Sequence, residues 1–167
     1  MKKTRRKVMS ADKPGLLATL LPYAETDVLC YRAETPADLA ARQAAAWDPI
    51  LDWARVRYDI SISVFNGIIH TAQPAATVEW LRAVLCRYSA EQLVALHSLI
   101  TITGSLICAL MVAEGALDAD AAFAATHLDE LYQVEQWGED EPAIQARAAR
   151  LAEFVAAANS IAALAAA

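Results

Sequence analysis

The densest group of side chains with usable chemistry lies at residues 132–141, YQVEQWGEDE. Glu135, Glu139, Asp140 and Glu141 surround Trp137 and a glycine, Gly138, that permits a sharp turn. Two uses follow from these residue types. A carboxylate pair such as Glu135 and Glu139 could do general acid–base work in a small helical enzyme. The same acids around an aromatic could instead meet a protein partner. Local structure accounts for part of the cluster, because Asp140 and Glu141 suit the positive N-terminus of a helix opening near Pro142. Glu135 fits less well, since an acid in the last turn of a helix opposes its dipole. A paired role for Glu135, inside the protein or across an interface, is therefore expected.

Other constellations are sparse. The chain has no G-x-S-x-G, no P-loop and no G-x-G-x-x-G. His70, His97 and His127 lie far apart, and His97 reads as a core histidine. His127 and Glu130, three apart, could supply two metal ligands, but a di-metal bundle needs matching groups on other helices. No metal and no cofactor is expected. Cys30, Cys86 and Cys108 form no CxxC and are odd in number, which points to reduced, buried thiols in a cytoplasm-like compartment. A net charge of -6 argues against nucleic acid as the main partner. Residues 23–34, YAETDVLCYRAE, place acids at 25, 27 and 34 beside Arg32. They could form a polar network, a contact surface, or a solvated link with Val28 and Leu29 turned inward.

These groups need helices to position them. Alanine is abundant while Gly and Pro are scarce, so the fold class is mainly all-α. The organising stretch is residues 93–113, LVALHSLITITGSLICALMVA, which carries no acid or base. A continuous helix there would be about 30 Å long, enough for a membrane span or for the central helix of a domain. Ser89 and Gln92 form a capping-box pattern ahead of it and Gly115 suits its end, which favours a buried central helix over 90–114 and no membrane insertion. Residues 13–15, Lys-Pro-Gly, break the approach to a short helix ending near Pro22. Thr35 and Pro36 open a helix striped by Leu39, Gln43, Ala46, Ile50 and Trp53, with a kink at Pro49. Residues 59–71 alternate around Asn66 and Gly67 and predict a short β-hairpin near 60–71. Later helices start at Pro74, Asp118 and Pro142, the last burying Ile144, Ala148, Leu151, Val155, Ala158 and Ala162. The expected architecture is an irregular or orthogonal helical bundle. Residues 1–13 read as a basic flexible tail, 14–164 as one helical domain and 165–167 as a frayed end.

Four segments, in this order, resemble motifs of the ATP12 family: residues 23–34, 43–53 (QAAAWDPILDW), 96–106 (LHSLITITGSL) and 135–141 (EQWGEDE). Members are assembly chaperones of the F1 part of ATP synthase, found in mitochondria and α-proteobacteria. The resemblance implies a non-enzymatic protein that binds the unassembled F1 α subunit, shields its β-facing surface and yields it to β. It implies a protein monomeric when free, in a bacterial cytoplasm or a mitochondrial matrix. Partner binding falls on Glu135 first, with Trp137, Glu139, Asp140 and Glu141 beside it. Tyr31, Arg32 and Asp48 are candidates for the same contact or for holding the helices together. The family also has a largely β N-terminal domain, whereas the resemblance here covers the helical part. A member acting only as an interaction module is thus a second reading.

Overall fold

A computed structural model describes residues 12–166. The N-terminal part of the basic stretch, residues 1–11, lies outside the described residues. In chain order the helices are α1 (Lys13–Leu20), α2 (Tyr23–Thr26), α3 (Ala37–Tyr58), α4 (Ala75–Cys86), α5 (Ala90–Thr103), α6 (Leu106–Ala113), α7 (Ala119–Thr126), α8 (Leu128–Trp137) and α9 (Glu141–Ala166). A 3-10 turn (Val28–Cys30) leads into strand β1 (Tyr31–Arg32), which pairs with β2 (Phe65–Asn66). The expected mainly helical, irregular bundle is what the chain forms. Its core centres on α5, which α9, α1 and α6 flank, and Leu93, Leu96, Leu99 and Ile100 of α5 are fully buried.

The caps follow the local rules. Ser89 Oγ accepts from Gln92 N at 3.1 Å while Gln92 Oε1 accepts from Ser89 N at 2.9 Å, so the capping box opening α5 is complete. Asp118 caps α7 as expected. At the first helix the expectation fails, because Lys13, Pro14 and Gly15 form the first turn of α1 and do not break it. Asp12 caps that turn through Gly15 N, and proline is at home there. Pro36 takes the N-cap position of α3 without a side-chain cap, and α3 continues through Pro49 as one helix.

The single central helix over 90–114 is not formed. Gly104 adopts φ 71 and ends α5, and Ser105 caps α6 by accepting from Cys108 N at 3.0 Å. The break is held from a distance. Asp27, 2 % exposed, accepts from Leu29 N (3.0 Å), Ser105 Oγ (3.0 Å) and Ile107 N (2.9 Å). Val28 N donates to Gly104 O at 3.1 Å, completing the join. The two pieces are 14 and 8 residues long, or about 21 and 12 Å, too short to cross a bilayer. Among the described residues, only α9 is long and apolar enough to cross a membrane, and its alanines supply that hydropathy.

The hairpin is likewise replaced. β1 and β2 run parallel, with Tyr31 opposite Phe65 and Arg32 opposite Asn66. Side chains take up the backbone that a first hairpin arm would have offered. Gln73 bonds both Ser63 N (2.9 Å) and Ser63 O (2.8 Å), Thr77 Oγ1 donates to Ser61 O, and Arg55 Nη2 donates to Ile62 O at 2.6 Å. With those groups satisfied, a second strand has nothing to pair with there. Ile68 and Ile69, the would-be second arm, stand in solvent. The buried stripe of α9 is also shifted, to Phe154, Ala157 and Ile161, leaving Ile144 exposed. The helix runs on through Ala166, while the helix that starts after Asp118 ends at Thr126 and His127 leads into α8.

Burial pushes the Asp27 carboxyl up from 3.8 to about 6, against the hydrogen bonds that favour its anion. The folded chain therefore keeps a proton that the unfolded chain releases between about pH 4 and 6. This group's contribution is full below that window and falls as pH rises through it. Thermal melts across pH 4–7 should show that slope in the wild type and lose it in Asp27→Asn; an unchanged slope would assign it to other groups. Asp27→Ala strands three buried donors and should cost about 3 kcal/mol in a denaturant titration.

Candidate functional site

The acidic segment sits at the end of α8, in the turn to α9 and at the start of α9, and its members have separate tasks. Glu135 Oε2 accepts from Arg42 Nη1 of α3 at 2.6 Å, and both side chains are about half exposed. Glu139 is taken up by Arg147 of α9 through both oxygens. That pairing holds its carboxyl below the usual range, the hydrogen bonds from Arg147 being the main cause. Asp140 Oδ1 accepts from Ala143 N at 2.9 Å and caps α9, and Glu141 accepts from Gln145 at 3.0 Å one turn along. Glu130 joins the same edge, accepting from Arg150 Nη2 at 2.9 and 2.7 Å. Glu135 and Glu139 thus face different guanidiniums on different helices. That is the opposite of a free acid–base pair.

Trp137 has no such commitment. It ends α8 with 84 % of its surface exposed. Gly138 follows at φ 73 and ψ −177, a conformation essentially closed to residues with a Cβ. Glu139 and Asp140 anchor the far side of that turn, so an uncovered indole projects from a fixed corner.

Behind Glu135, polar bonds tie α8 to α3. Tyr132 Oη donates to Asp38 at 3.0 Å, and the Arg42 guanidinium lies 5.3 Å from the Tyr132 ring centroid. Gln43 Nε2 donates to Asp129 at 2.7 Å while its Oε1 accepts from Ala33 N at 2.8 Å, and Trp47 Nε1 donates to Ala125 O at 2.7 Å. Between these ties lies an open groove of about 460 Å³, floored by Ala45, Ala46, Ala124, Leu128 and Leu131. Residue types and spacing gave no sign of Arg42, Arg147 or the groove.

Tyr31, Arg32 and Asp48 lie elsewhere on α3 and at its approach. Arg32 is 8 % exposed, donates to Leu29 O at 3.0 Å and Asp48 at 2.7 Å, and lies over the Trp47 ring. Tyr31 Oη donates to Glu25 O at 3.3 Å and lies 3.0 Å from His70 Nδ1. These contacts tie β1 to α3 and to the loop after β2.

His127 Nδ1 lies 2.9 Å from Phe123 O and its ring stacks on Phe123, while Glu130 serves Arg150. Burial first, and the nearby arginines after it, push this imidazole below its ordinary value. Among the described residues, no three His, Cys, Asp or Glu side chains gather as metal ligands. All three thiols are free. Cys30 and Cys108 are buried, and burial pushes both well up, whereas Cys86 is exposed, contrary to the expectation of a buried thiol.

Fold and site together define a mainly helical domain that presents an acidic edge and an uncovered aromatic. The sequence model of the ATP12 chaperone protein family matches residues 4–55. Atp12 from Paracoccus denitrificans has a similar structure, with a TM-score of 0.84 at 37% identity over 88% of this chain and 63% of that one. A candidate chaperone from Agrobacterium tumefaciens superposes with a TM-score of 0.88 at 39% identity, over 93% and 59%. The mitochondrial protein atp12 of Schizosaccharomyces pombe is 29% identical over 138 residues, 79% of this chain and 47% of that protein. The chain belongs to the ATP12 family. It spans about half the length of this curated relative and about six tenths of the two solved chains.

Gly138→Ala should cost about 1–3 kcal/mol, because nothing crowds the new methyl and the backbone conformation alone opposes it. Chemical denaturation checks this. A neutral result would mean that the turn relaxes, and with it the fixed position of Trp137.

Proposed function

We propose that this chain works as an assembly chaperone of ATP synthase. It holds the unassembled F1 α subunit, covers the surface that β will meet, and releases it when β arrives. The observation that carries the reading is Trp137, 84 % exposed on a corner fixed by Gly138 and by the Glu139–Arg147 pair. A large indole left in water at a rigid turn has the character of an interface anchor. Membership of the ATP12 family supplies the partner class.

The mechanism is competitive shielding. A subunit interface of an obligate complex is large and apolar and aggregates when left uncovered. The shield must hold it firmly, yet loosely enough for β to displace it. Trp137 supplies the anchor. Glu135, Asp140 and Glu141 supply an acidic rim that speeds association and makes it salt-sensitive. Glu139 acts through Arg147 by setting the turn, and Tyr31, Arg32 and Asp48 act by fixing α3. No chemical step is involved, and the chain works as a monomer in a bacterial cytoplasm or a mitochondrial matrix.

Size-exclusion chromatography of this chain with isolated F1 α subunit, repeated with β added, tests the reading. Co-elution that is lost on adding β is expected. A well-folded chain that never co-elutes with α would overturn it. Glu135→Lys should weaken binding and flatten its salt dependence while the melting temperature stays nearly unchanged, since exposed ion pairs add little to stability. A large loss of stability would assign Glu135 to the fold.

A further inference from the structure

From Ser61 to Gly67 the backbone turns its bonding groups to alternate sides. On one side Thr77 takes Ser61 O, Gln73 takes both backbone groups of Ser63, and β1 takes Phe65 and Gly67. On the other side Arg55 Nη2 of α3 takes Ile62 O at 2.6 Å. Gly67 N donates to Arg32 O at 2.8 Å, so Arg32 bonds the residues flanking Asn66 and leaves the N–H and C=O of Asn66 pointing away from β1. Among the described residues, the backbone groups of Val64 and Asn66 have no hydrogen-bond partner. β2 is thus paired along one edge and open along the other, on the side where Arg55 lies.

A groove of about 420 Å³ lies on that side. Ala40, Ala44, Asp48 and Asp52, spaced by four and so on one face of α3, form one wall, and Val64 and Asn66 form the other. Alanine at two of the four helical positions leaves space beside the strand. The charges lining the groove cancel, because Arg32 pairs with Asp48 and Arg55 with Asp52, each at 2.7 Å. The groove therefore has no net pull on a charged group. What it presents unpaired is two backbone N–H groups and two carbonyls, on residues two apart, and the complement of that pattern is another strand. Ile68 and Ile69 stand in solvent just past the edge and add apolar surface next to it.

We infer that this groove takes one extended segment of the partner protein, which adds to the open edge of β2 as a third strand. Its backbone pairs with Val64 and Asn66, and its side chains on one face lie against Ala40 and Ala44. The α3 wall selects the occupant. A second copy of this chain holds the same edge against its own α3, so two folded copies do not bring these edges together, whereas a segment free of its own fold enters alone. The inference rests on the proposed chaperone reading for the identity of the partner and adds to Trp137 a contact of different chemistry. An aromatic anchor and an acidic rim read side chains and charge, while a strand edge reads backbone that the partner has not yet paired.

Hydrogen exchange of this chain, read at single amides with and without isolated F1 α subunit, provides the test, together with titration of α onto the immobilised full chain. The Val64 and Asn66 amides should exchange fast in the free chain and slow by about tenfold or more in the complex. Asn66→Pro removes one outward donor at a place where an edge strand tolerates proline, and should weaken binding about fivefold, the worth of one net hydrogen bond. Asn66→Ala keeps the N–H and should lose less. An equal loss would put the contact in the side chain and overturn the strand addition. Ala44→Phe narrows the groove from a half-buried helical position and should weaken binding about tenfold, with circular dichroism and melting temperature close to wild type. Wild type that binds α with both amides still exchanging fast, and with Ala44→Phe binding equally well, would overturn the groove and leave the chaperone reading intact. Absence of binding by the wild type would overturn both readings together.

Discussion

The buried carboxylate of Asp27 is the constraint on which the rest of this fold depends. An apolar stretch as long as residues 93–113 would by its own preference make one straight helix. Such a rod would present one face to one set of neighbours. Asp27 instead satisfies the hydroxyl of Ser105 and the backbone N–H of Ile107, while Gly104 takes a left-handed turn. The chain can then change direction inside the core without leaving donors unpaired. α6 is freed to pack against α3 and α7, and α5 remains against α9 and α1. A charged group in the core is costly, and only several donors at once make it tolerable.

The same economy of polar groups governs the edge that carries the acids. Five of its carboxylates, on Glu130, Glu135, Glu139, Asp140 and Glu141, are each assigned to a guanidinium, a helix N-terminus or a nearby side-chain amide. The edge is therefore rigid as well as acidic. Under the proposed chaperone reading such order is useful, because an ordered surface loses little entropy on contact and needs fewer contacts to hold. The proposed partner surface combines one uncovered aromatic, Trp137, with an acidic rim. Binding of moderate strength is the natural product of such a set.

Much of this was legible in the sequence, wherever the signal was local. The mainly helical class, the capping box at Ser89 and Gln92, the cap at Asp118 and the helix starts after Pro74 and near Pro142 all rest on side chains a few positions from the backbone they serve. The unusual character of Glu135 was also visible, since a carboxylate at a helix C-terminus asks for a partner. The identity of that partner was not. Arg42 stands 93 residues earlier, on another helix, and no periodicity links the two. The alternating residues 59–65 suggested a strand, which forms only at Phe65–Asn66, and suggested the wrong pairing for it. Alternation reports that a segment can be extended, and Gln73, Thr77 and Arg55 decide what bonds it.

The sequence by itself determined the mainly helical class and where most of the helices start, and it marked residues 132–141 as the candidate partner surface. Tertiary structure alone decided where the central helix breaks, which strand β2 meets, and which acids are spent on arginines while Trp137 is left uncovered. The physical reason is range. Propensity, caps and turns act over about four residues, within one turn of helix. A buried carboxylate, a cross-helix ion pair or a parallel strand pair draws its partner from anywhere in the chain. That choice exists only once the core has brought the two together.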